Sequence, residues 1–231
     1  SWDIGFSLLK QDLWRDGDRL AFKVAWFKND IDNAITRRFD SSNWAFYVDN
    51  VDNYTVSGYE LQSGYDAGIA YLDLSASYYQ RARTCDAATA KRLREDPYAK
   101  WSKLDTTPDC VDGGFGTSFV NAQNPPKYSI HSTLGFRLFD KRLDTGIRRT
   151  YNSGPTHELD KPWNTTGSTG LQNIYLPTAI YDFYARWQFT QKAEVELVVS
   201  NLRNTYYMDT LAMSLMPGPG RTTRLNFTAR F

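Results

Sequence analysis

The sequence contains no long apolar segment. No run approaches the roughly 18 uninterrupted apolar residues that a membrane-spanning helix needs, and 23% of the 231 residues are charged. The formal net charge is only +1, and acidic and basic residues are interleaved, so the chain offers no basic face for nucleic acid. These absences exclude a helical membrane protein and argue against a nucleic-acid partner.

Cysteine and histidine are also scarce. The two cysteines, Cys85 and Cys110, lie in one polar stretch, which indicates a loop disulfide in an oxidising compartment; a reduced pair in a cytosolic chain is the alternative. His131 and Ser132 are adjacent on a predicted strand and point to opposite faces, so they cannot form a catalytic pair. We predict no catalytic residues, no metal site and no enzymatic activity.

Aromatic residues are abundant, at 15% of the chain, and they recur with a period of two. In the terminal segment TTRLNFTARF, Leu225 and Phe227 fall on one face of an extended strand while Arg224 and Asn226 fall on the other. The same alternation predicts about nine strands, with a bulge near Phe27 and a helix started by Asp86 as N-cap. The predicted strands cover residues 1–10, 20–38, 53–65, 68–84, 127–138, 143–152, 176–190, 193–200 and 222–231.

Short and long connections alternate along the chain. Tight returns are predicted at 11–18, 65–68, 139–142 and 190–192, and long polar loops at 39–52, 85–125, 153–175 and 201–221. Short turns at one rim and long loops at the other are typical of an outer-membrane β-barrel, as are strands of about nine to eleven residues or more. A soluble β-sandwich or lectin-like fold is the alternative, but it does not require such long strands.

A barrel gives each residue class a location. Charged side chains on the polar parity of the strands are predicted to line the lumen, although a purely structural role in the wall is equally open. Large apolar groups in the loops are candidates for contacting a ligand or partner, or for packing within their own loop. The lumen set is Asp73, His131, Arg137, Asp144, Arg148, Asp182, Arg186, Glu194, Glu196, Arg224 and Arg230, and the loop set is Trp44, Phe46, Tyr47, Tyr98, Trp101, His157, Trp163, Tyr206, Tyr207 and Met213.

The C-terminal segment resembles the last two strands of TonB-dependent outer-membrane receptors. The matching features are Asn201-Leu202, Tyr207, Pro219-Gly220-Arg221 and the terminal Phe231, while Arg203 stands where many members have an aromatic residue. The motifs VSGYELQSGYDAG and NPPKYSIHSTLGFRLFDKRLDTGIRRTY, with paired cysteines between them, are similar to the haem and haemophore receptor branch.

This resemblance implies an all-β, antiparallel transmembrane barrel of about 22 strands with an N-terminal plug, which the lumen set would contact. Residues 1–231 would be about nine C-terminal strands, with the plug and earlier strands absent, and the chain looks cut at Ser1. Phe231 would be the signal for barrel insertion and closure.

The family also implies a function, active uptake across the outer membrane of a Gram-negative bacterium. The transported ligand would be haem, with a haemophore or other haem protein at the outer loops. This portion alone would hold no cofactor, because axial haem ligands are expected outside it. The remaining partners would be the TonB complex, through the absent N-terminal region, the lipid bilayer and lipopolysaccharide. A siderophore or other nutrient receptor is the alternative, and a passive porin or an outer-membrane enzyme is more distant.

Overall fold

The chain folds mainly into one antiparallel sheet. The computed structural model describes residues 1–40, 45–116, 124–158, 160–165, 176–208 and 217–230. The strands are β1 (Trp2–Gln11), β2 (Arg19–Asp40), β3 (Ala45–Asp66), β4 (Ala70–Cys85), β5 (Cys110–Asp112), β6 (Tyr128–Leu138), β7 (Leu143–Asn152), β8 (Thr178–Thr190), β9 (Ala193–Ser200) and β10 (Thr222–Ala229). The helices are α1 (Ala87–Arg94), α2 (Ala99–Ser102) and α3 (Pro162–Thr165).

The sheet has the simplest order that sequential strands allow. It runs β1-β2-β3-β4-β6-β7-β8-β9-β10, and each of these strands is antiparallel to its neighbours. The short strand β5 pairs with the end of β4 beside this path. Among the described residues, β1 and β10 form the two borders of an open sheet. The predicted antiparallel all-β class and the nine principal strands are therefore confirmed.

Two expectations about local structure were wrong. Of the predicted loop 39–52, residues 39–40 and 45–52 instead extend β2 and β3, which stay paired up to Asp40 and Ala45. The helix predicted within the stretch 85–125 is present as α1, and the described part of that stretch also contains α2 and β5. No bulge lies at Phe27; the shift in register falls between β3 and β4 at Ser57 and Gly58, leaving Gln80 as the extra residue. A Cβ at Gly58 would overlap the carbonyl oxygen of Tyr78, so the close strand approach there requires glycine.

The register gives the sheet two chemically different faces. Through β1–β4 and β6–β10, one set of paired positions is occupied mainly by Trp, Phe, Ile, Leu and Val, and we call this the apolar face. Leu134 and Ile147 lie in the middle of the sheet on this face and are each 47% exposed. The opposite set carries Asp, Glu, Arg and Lys, and we call it the charged face. Large hydrophobic side chains on the apolar face are thus left substantially exposed.

Tyrosines follow the apolar face at its long-loop end. Tyr59, Tyr78 and Tyr128 are paired across β3, β4 and β6 and their rings stack, with centroids 6.4 Å and 5.3 Å apart. At the short-turn end, Phe139 lies 5.4 Å from Trp187. Two such aromatic rows flanking an apolar band are the pattern of a strand-built membrane surface.

One short turn is organised by a single carboxylate. Asp18, which is buried, accepts hydrogen bonds from the backbone amides of Leu13, Trp14 and Arg15 and from the Tyr65 hydroxyl at 2.7–3.1 Å. Burial raises the pKa of Asp18, but these four hydrogen bonds outweigh it and hold the pKa below its usual value. The turn between β1 and β2 is therefore rigid although it contains no regular structure.

The hydrophobic core lies beyond the sheet, in the excursion between β4 and β6. We call residues 85–116 the outer lobe. Its buried apolar side chains form one cluster, against which Trp163 from the loop between β7 and β8 packs. The cluster consists of Ala90, Leu93, Ala99, Leu104, Val111 and Phe115.

No helix in the part of the chain that the structure describes is long and apolar enough to cross a membrane.

Candidate ligand- and partner-binding surfaces

The outer lobe is joined to the sheet by covalent and backbone links. Cys85 and Cys110 form a disulfide between the last residue of β4 and the first residue of β5, as the sequence predicted. The Asp86 amide also donates to the Asp109 carbonyl at 2.8 Å. Asp86 caps α1, as predicted, by accepting a hydrogen bond from the Thr89 amide at 2.9 Å.

A buried arginine ties the lobe to the extended hairpin of β2 and β3. Arg38 donates to the Asp86 carboxylate and to the Thr89 hydroxyl, and its side chain is only 3% exposed. The Ala87 amide donates to Asp52 of β3 at 2.7 Å. The first turn of α1 is therefore held by charged groups from two strands of the extended hairpin.

The loop between β7 and β8 contacts both β4 and the lobe. His157 accepts a hydrogen bond from the Ala82 amide at its Nε2 atom, at 3.0 Å, and its backbone is paired with the Asn124 amide group at 2.9 and 3.1 Å. Desolvation by burial lowers the pKa of His157, which favours the neutral ring that this contact needs. Asn164 donates to the carbonyls of Asp112 and Gly114 at 3.1 and 2.7 Å.

The predicted loop residues differ in how far they are buried or in contact with other residues. His157 and Trp163 make contacts within the loops, and Tyr207 lies over Gly218, where a Cβ would overlap its ring. Trp44 and Met213 lie outside the described residues, as does Phe231. Tyr47 is half-buried, whereas Tyr98, Trp101, Tyr206 and Phe46 are exposed to 72%, 87%, 79% and 47%.

Tyr98 and Trp101 are the most prominent of the exposed group. They lie three residues apart at the start and within α2, so they project from the same side of this helical turn. Ala99 and Leu104, next to them in sequence, are buried in the lobe core. The lobe therefore presents two large aromatic side chains from a position that its own core fixes.

All predicted lumen residues lie on the charged face. Asp73, Arg148 and Asp182 lie in one cross-strand row, in which Thr133 stands between Asp73 and Arg148. Arg186 is paired directly with Glu196. Whether this face lines a lumen remains a prediction. The same parity is occupied by His131, Arg137, Asp144, Glu194, Arg224 and Arg230.

The charged face is self-paired near the short turns. Arg137 forms an ion pair with Asp66 at 2.8 Å and stacks over the Tyr71 ring at 4.3 Å. The Tyr71 hydroxyl donates to Asp144 at 2.9 Å, and Arg186 reaches the same carboxylate at 3.1 Å. This turn-end network is complete within the sheet, which favours a role in stiffening the wall.

Sequence reasoning missed the two tyrosines at the centre of this network. The Tyr71 and Tyr184 hydroxyl groups are hydrogen-bonded to each other, and each tyrosine closely approaches a glycine of a neighbouring strand. A Cβ at Gly135 would overlap the Tyr71 ring, and one at Gly146 would lie 2.7 Å from the Tyr184 hydroxyl. The signal was present as glycines at charged-face positions of β6 and β7, directly paired with each other.

The middle of the charged face is open instead. Small residues on β1–β4 leave a hollow of about 590 Å³, and its polar lining includes Lys23, Gln62, Asp73 and His131. His131 lies 3.3 Å from the Thr150 hydroxyl, while Asp73 has no ion pair among the described residues. Free charges in a concave wall are suited to contact another polypeptide.

The Asn-Leu motif has a local structural role. The Asn201 side chain donates to the carbonyls of Thr205 and Pro219 and accepts from the Thr205 amide, at 2.8–3.1 Å. Asn204 accepts from the Arg221 amide at 2.9 Å. These contacts close the described ends of the long loop between β9 and β10.

Comparison with known proteins identifies the family. Residues 1–202 match the family model described as TonB dependent receptor-like, beta-barrel. The chain belongs to this family. The resemblance found in the C-terminal motifs is therefore confirmed, and the family is one of transport receptors.

Two curated relatives belong to the haem-receptor branch that the motifs indicated. The chain is 30% identical to the hemophilin receptor of Acinetobacter baumannii. The match covers 100% of this chain and 22% of that protein. It is 26% identical to the TonB-dependent heme receptor A of Haemophilus ducreyi over 79% of this chain and 21% of that one. The chain thus spans about a fifth of the length of these relatives.

Solved structures agree on the fold. A double mutant of the Serratia marcescens hemophore receptor HasR, in complex with its hemophore HasA and heme, matches with a TM-score of 0.62 and 23% identity. The match covers 100% of this chain and 31% of that one. The FrpB iron transporter of Neisseria meningitidis matches with a TM-score of 0.63 and 22% identity over 99% of this chain and 31% of that one. The sheet is accordingly an open part of a receptor barrel.

Proposed function

We propose that residues 1–231 form the C-terminal part of the barrel of an outer-membrane receptor that imports haem with energy supplied through TonB. The observation that carries this proposal is the match, over the whole of this chain at 30% identity, to part of a protein named as a hemophilin receptor. The second curated relative is named as a heme receptor. Haem is the cargo in this proposal, and the outer loops bind the protein that delivers it.

The two faces of the sheet support the membrane placement. The exposed apolar face, with tyrosines at one end and Phe139 and Trp187 at the other, matches what lipid requires of a barrel exterior. The charged face then lines a wet lumen. Its open middle, around Lys23, Asp73 and His131, is where we place contact with the plug, and the self-paired turn-end network stiffens the wall.

The outer lobe supports protein binding. Exposed aromatic side chains that are held in place are the usual anchors of protein interfaces, because they bury a large area and lose little entropy on binding. Tyr98 and Trp101 meet this condition, since α2 is fixed by the lobe core and the lobe by a disulfide and a buried ion pair. We therefore place contact with a haem-carrier protein at α2.

Replacement of the lobe in the full-length receptor tests this assignment. Residues 87–108 are exchanged for a short Gly-Ser linker, which leaves Cys85 and Cys110 and the backbone contact between Asp86 and Asp109 in place. We expect growth on the haem-loaded carrier protein, purified from the culture medium, to be lost while growth on free haem persists. Unchanged growth on the carrier would contradict the role of the lobe, and normal haem uptake in a strain lacking TonB would contradict the transport proposal.

A finer test uses point substitutions. Tyr98→Ser together with Trp101→Ser removes the two exposed rings and leaves the buried core residues unchanged. We expect at least about tenfold weaker binding of the carrier, the effect of losing an interface anchor. Trp14→Ser is the matched control, because Trp14 is 71% exposed but lies in a short turn at the opposite rim. Equal loss in both variants would show a general effect on the receptor.

A further inference from the structure

Arg149 is the exception on the apolar face. It is paired with Ser132 of β6 and Tyr181 of β8, and its neighbours at the same parity of β7 are Ile147 and Tyr151. In the described strands β6–β10, no other Asp, Glu, Lys or Arg occupies an apolar-face position. A lone arginine on a lipid-facing surface is costly near the midplane of a bilayer and is tolerated near its interfaces.

Tyrosines place Arg149 at the long-loop interface of the apolar band. Tyr128, Tyr151 and Tyr181 lie on β6, β7 and β8. Tyr151 is paired with Ile130, two positions from Tyr128, and Tyr181 is paired with Arg149, two positions from Tyr151. A row of girdle residues steps in this way when strands are tilted in a barrel. Arg149 stacks over the Tyr151 ring at 5.2 Å and is the direct cross-strand partner of Tyr181, so it lies within this row.

A second arginine, from the loop between β9 and β10, also lies beside Tyr181. Arg203 follows β9, is exposed, and stacks over the ring of Tyr181 at 5.3 Å. The Leu202 amide donates to the Tyr181 carbonyl at 2.7 Å, which fixes Arg203 beside that ring. The Arg203 guanidinium therefore lies over the cross-strand partner of Arg149, and neither arginine has an ion pair or hydrogen bond to a carboxylate among the described residues.

We propose that Arg149 and Arg203 bind the phosphate group of a phosphorylated outer-leaflet lipid. Guanidinium groups bind phosphate oxygens through paired, charge-assisted hydrogen bonds, and the Tyr151 and Tyr181 rings hold both groups in orientation. The lipid is favoured over a free anion because the site is continuous with the apolar face, where Ile147 and Phe183 adjoin it and can contact acyl chains. The proposal rests on the membrane placement proposed above, and not on the identity of the cargo.

Lipid retention by the purified full-length receptor tests this site. The receptor is placed in nanodiscs with purified lipopolysaccharide or with its dephosphorylated form, and bound lipid is counted by native mass spectrometry. We expect the phosphorylated lipid to be retained by the wild type, and at least about tenfold less by Arg149→Gln with Arg203→Gln, because two charge-assisted contacts are lost. The matched control is Arg148→Gln, which removes the neighbouring arginine from the charged face and should retain lipid as the wild type does.

Each outcome decides the proposal. Equal retention of the two lipid forms, or equal loss in the Arg148→Gln control, would overturn it, as would displacement of the lipid by millimolar inorganic phosphate. If the double substitution prevents barrel assembly, Arg149→Lys keeps the charge and should retain lipid more strongly than Arg149→Gln. Haem-dependent growth is measured separately on the same variants, so loss of the lipid site and failure of the haem proposal give different results.

Discussion

Arg38 of β2 and Asp86 at the start of α1 form an almost completely buried ion pair, with side chains 3% and 4% exposed. The pair connects the extended hairpin to the outer lobe, and Asp86 is also the N-cap of α1. This pair, one of several contacts that hold the lobe, joins two residues that are 48 positions apart in the sequence.

Removal of one member of this pair should loosen the lobe. In Arg38→Met, the Asp86 carboxylate stays buried without its partner, and breaking a buried pair in this way costs about 3–5 kcal/mol. We expect the α1 amides to exchange hydrogen faster, by the factor to which this loss of free energy corresponds. Exchange in the strands of the sheet should not change. Lys91→Ala is the control, because its pair with Glu95 is exposed and should contribute under about 0.5 kcal/mol. Unchanged exchange of α1 in Arg38→Met would mean that the lobe core alone holds the helix.

Alanine at Gly135 and at Gly146, the two glycines next to the turn-end network, should destabilise the protein to different extents. A Cβ at Gly146 would overlap the Leu134 carbonyl, which belongs to a paired strand and cannot swing away, whereas a Cβ at Gly135 meets the Tyr71 ring. We expect both alanine variants to destabilise the receptor by about 1–3 kcal/mol, with Gly146→Ala the more severe. Urea unfolding in lipid vesicles measures this difference. Tyr71→Ala should rescue Gly135→Ala but not Gly146→Ala.

The control for this series is Gly154→Ala, since nothing lies within 4 Å of a Cβ at that position. Its stability should equal that of the wild type. If Gly154→Ala were as damaging as Gly146→Ala, steric overlap would not be the cause.

The sheet could be predicted from the sequence because each strand carries its own signal. In β8, Phe183, Ala185 and Trp187 alternate with polar residues, and the two-residue period alone gives both the strand and its faces. The hairpin above the sheet has no such signal. In the described part of the predicted loop 39–52, residues 45–50 are mostly exposed on both faces, and such strands cannot be distinguished from loops by periodicity.

The outer lobe and the turn-end network could be predicted only in part. The helix α1 was predictable from Asp86 and the residues that follow it, because capping is local in sequence. The Arg38–Asp86 pair and the seating of Tyr71 over Gly135 are contacts between distant segments, and a single sequence contains no pattern that links them. The exposure of Tyr98 and Trp101 likewise depends on which side of α2 the lobe core occupies.

Acidification should weaken the clamp between His157 and Ala82. The neutral Nε2 atom accepts the Ala82 amide, and burial lowers the pKa of His157 from its usual value of 6.5. Asp112 opposes this shift, and Arg81 and Lys127 add to it. Because the unfolded chain takes up the proton first as pH falls, the contribution to stability is complete above about pH 6.5 and is lost as pH drops through the lowered folded-state pKa.

Exchange of the Ala82 amide measures this effect. After correction for the intrinsic rate, protection should be lower at about pH 5 than at about pH 7.5. In His157→Gln, the amide oxygen can accept the same hydrogen bond without titrating, so protection should not depend on pH. A pH-dependent loss of equal size in both proteins would assign the effect to another group.

The disulfide should protect the outer lobe from proteolysis. Cys85 and Cys110 are separated by 25 residues, and closing a loop of this length stabilises the folded state by about 3 kcal/mol relative to the open chain. Trypsin can cleave the lobe after Lys91, Arg92, Lys100 or Lys103 once the helices open.

When opening is fast relative to cleavage, the cleavage rate follows the population of the open state. We therefore expect reductant, or Cys85→Ser with Cys110→Ser, to accelerate cleavage in the lobe by up to roughly a hundredfold. Combining these changes with Arg38→Met should accelerate cleavage further, because the Arg38–Asp86 ion pair also holds α1 in place. Cleavage at an unchanged rate after verified reduction would show that the buried core and the Arg38–Asp86 pair keep the lobe closed without the covalent link.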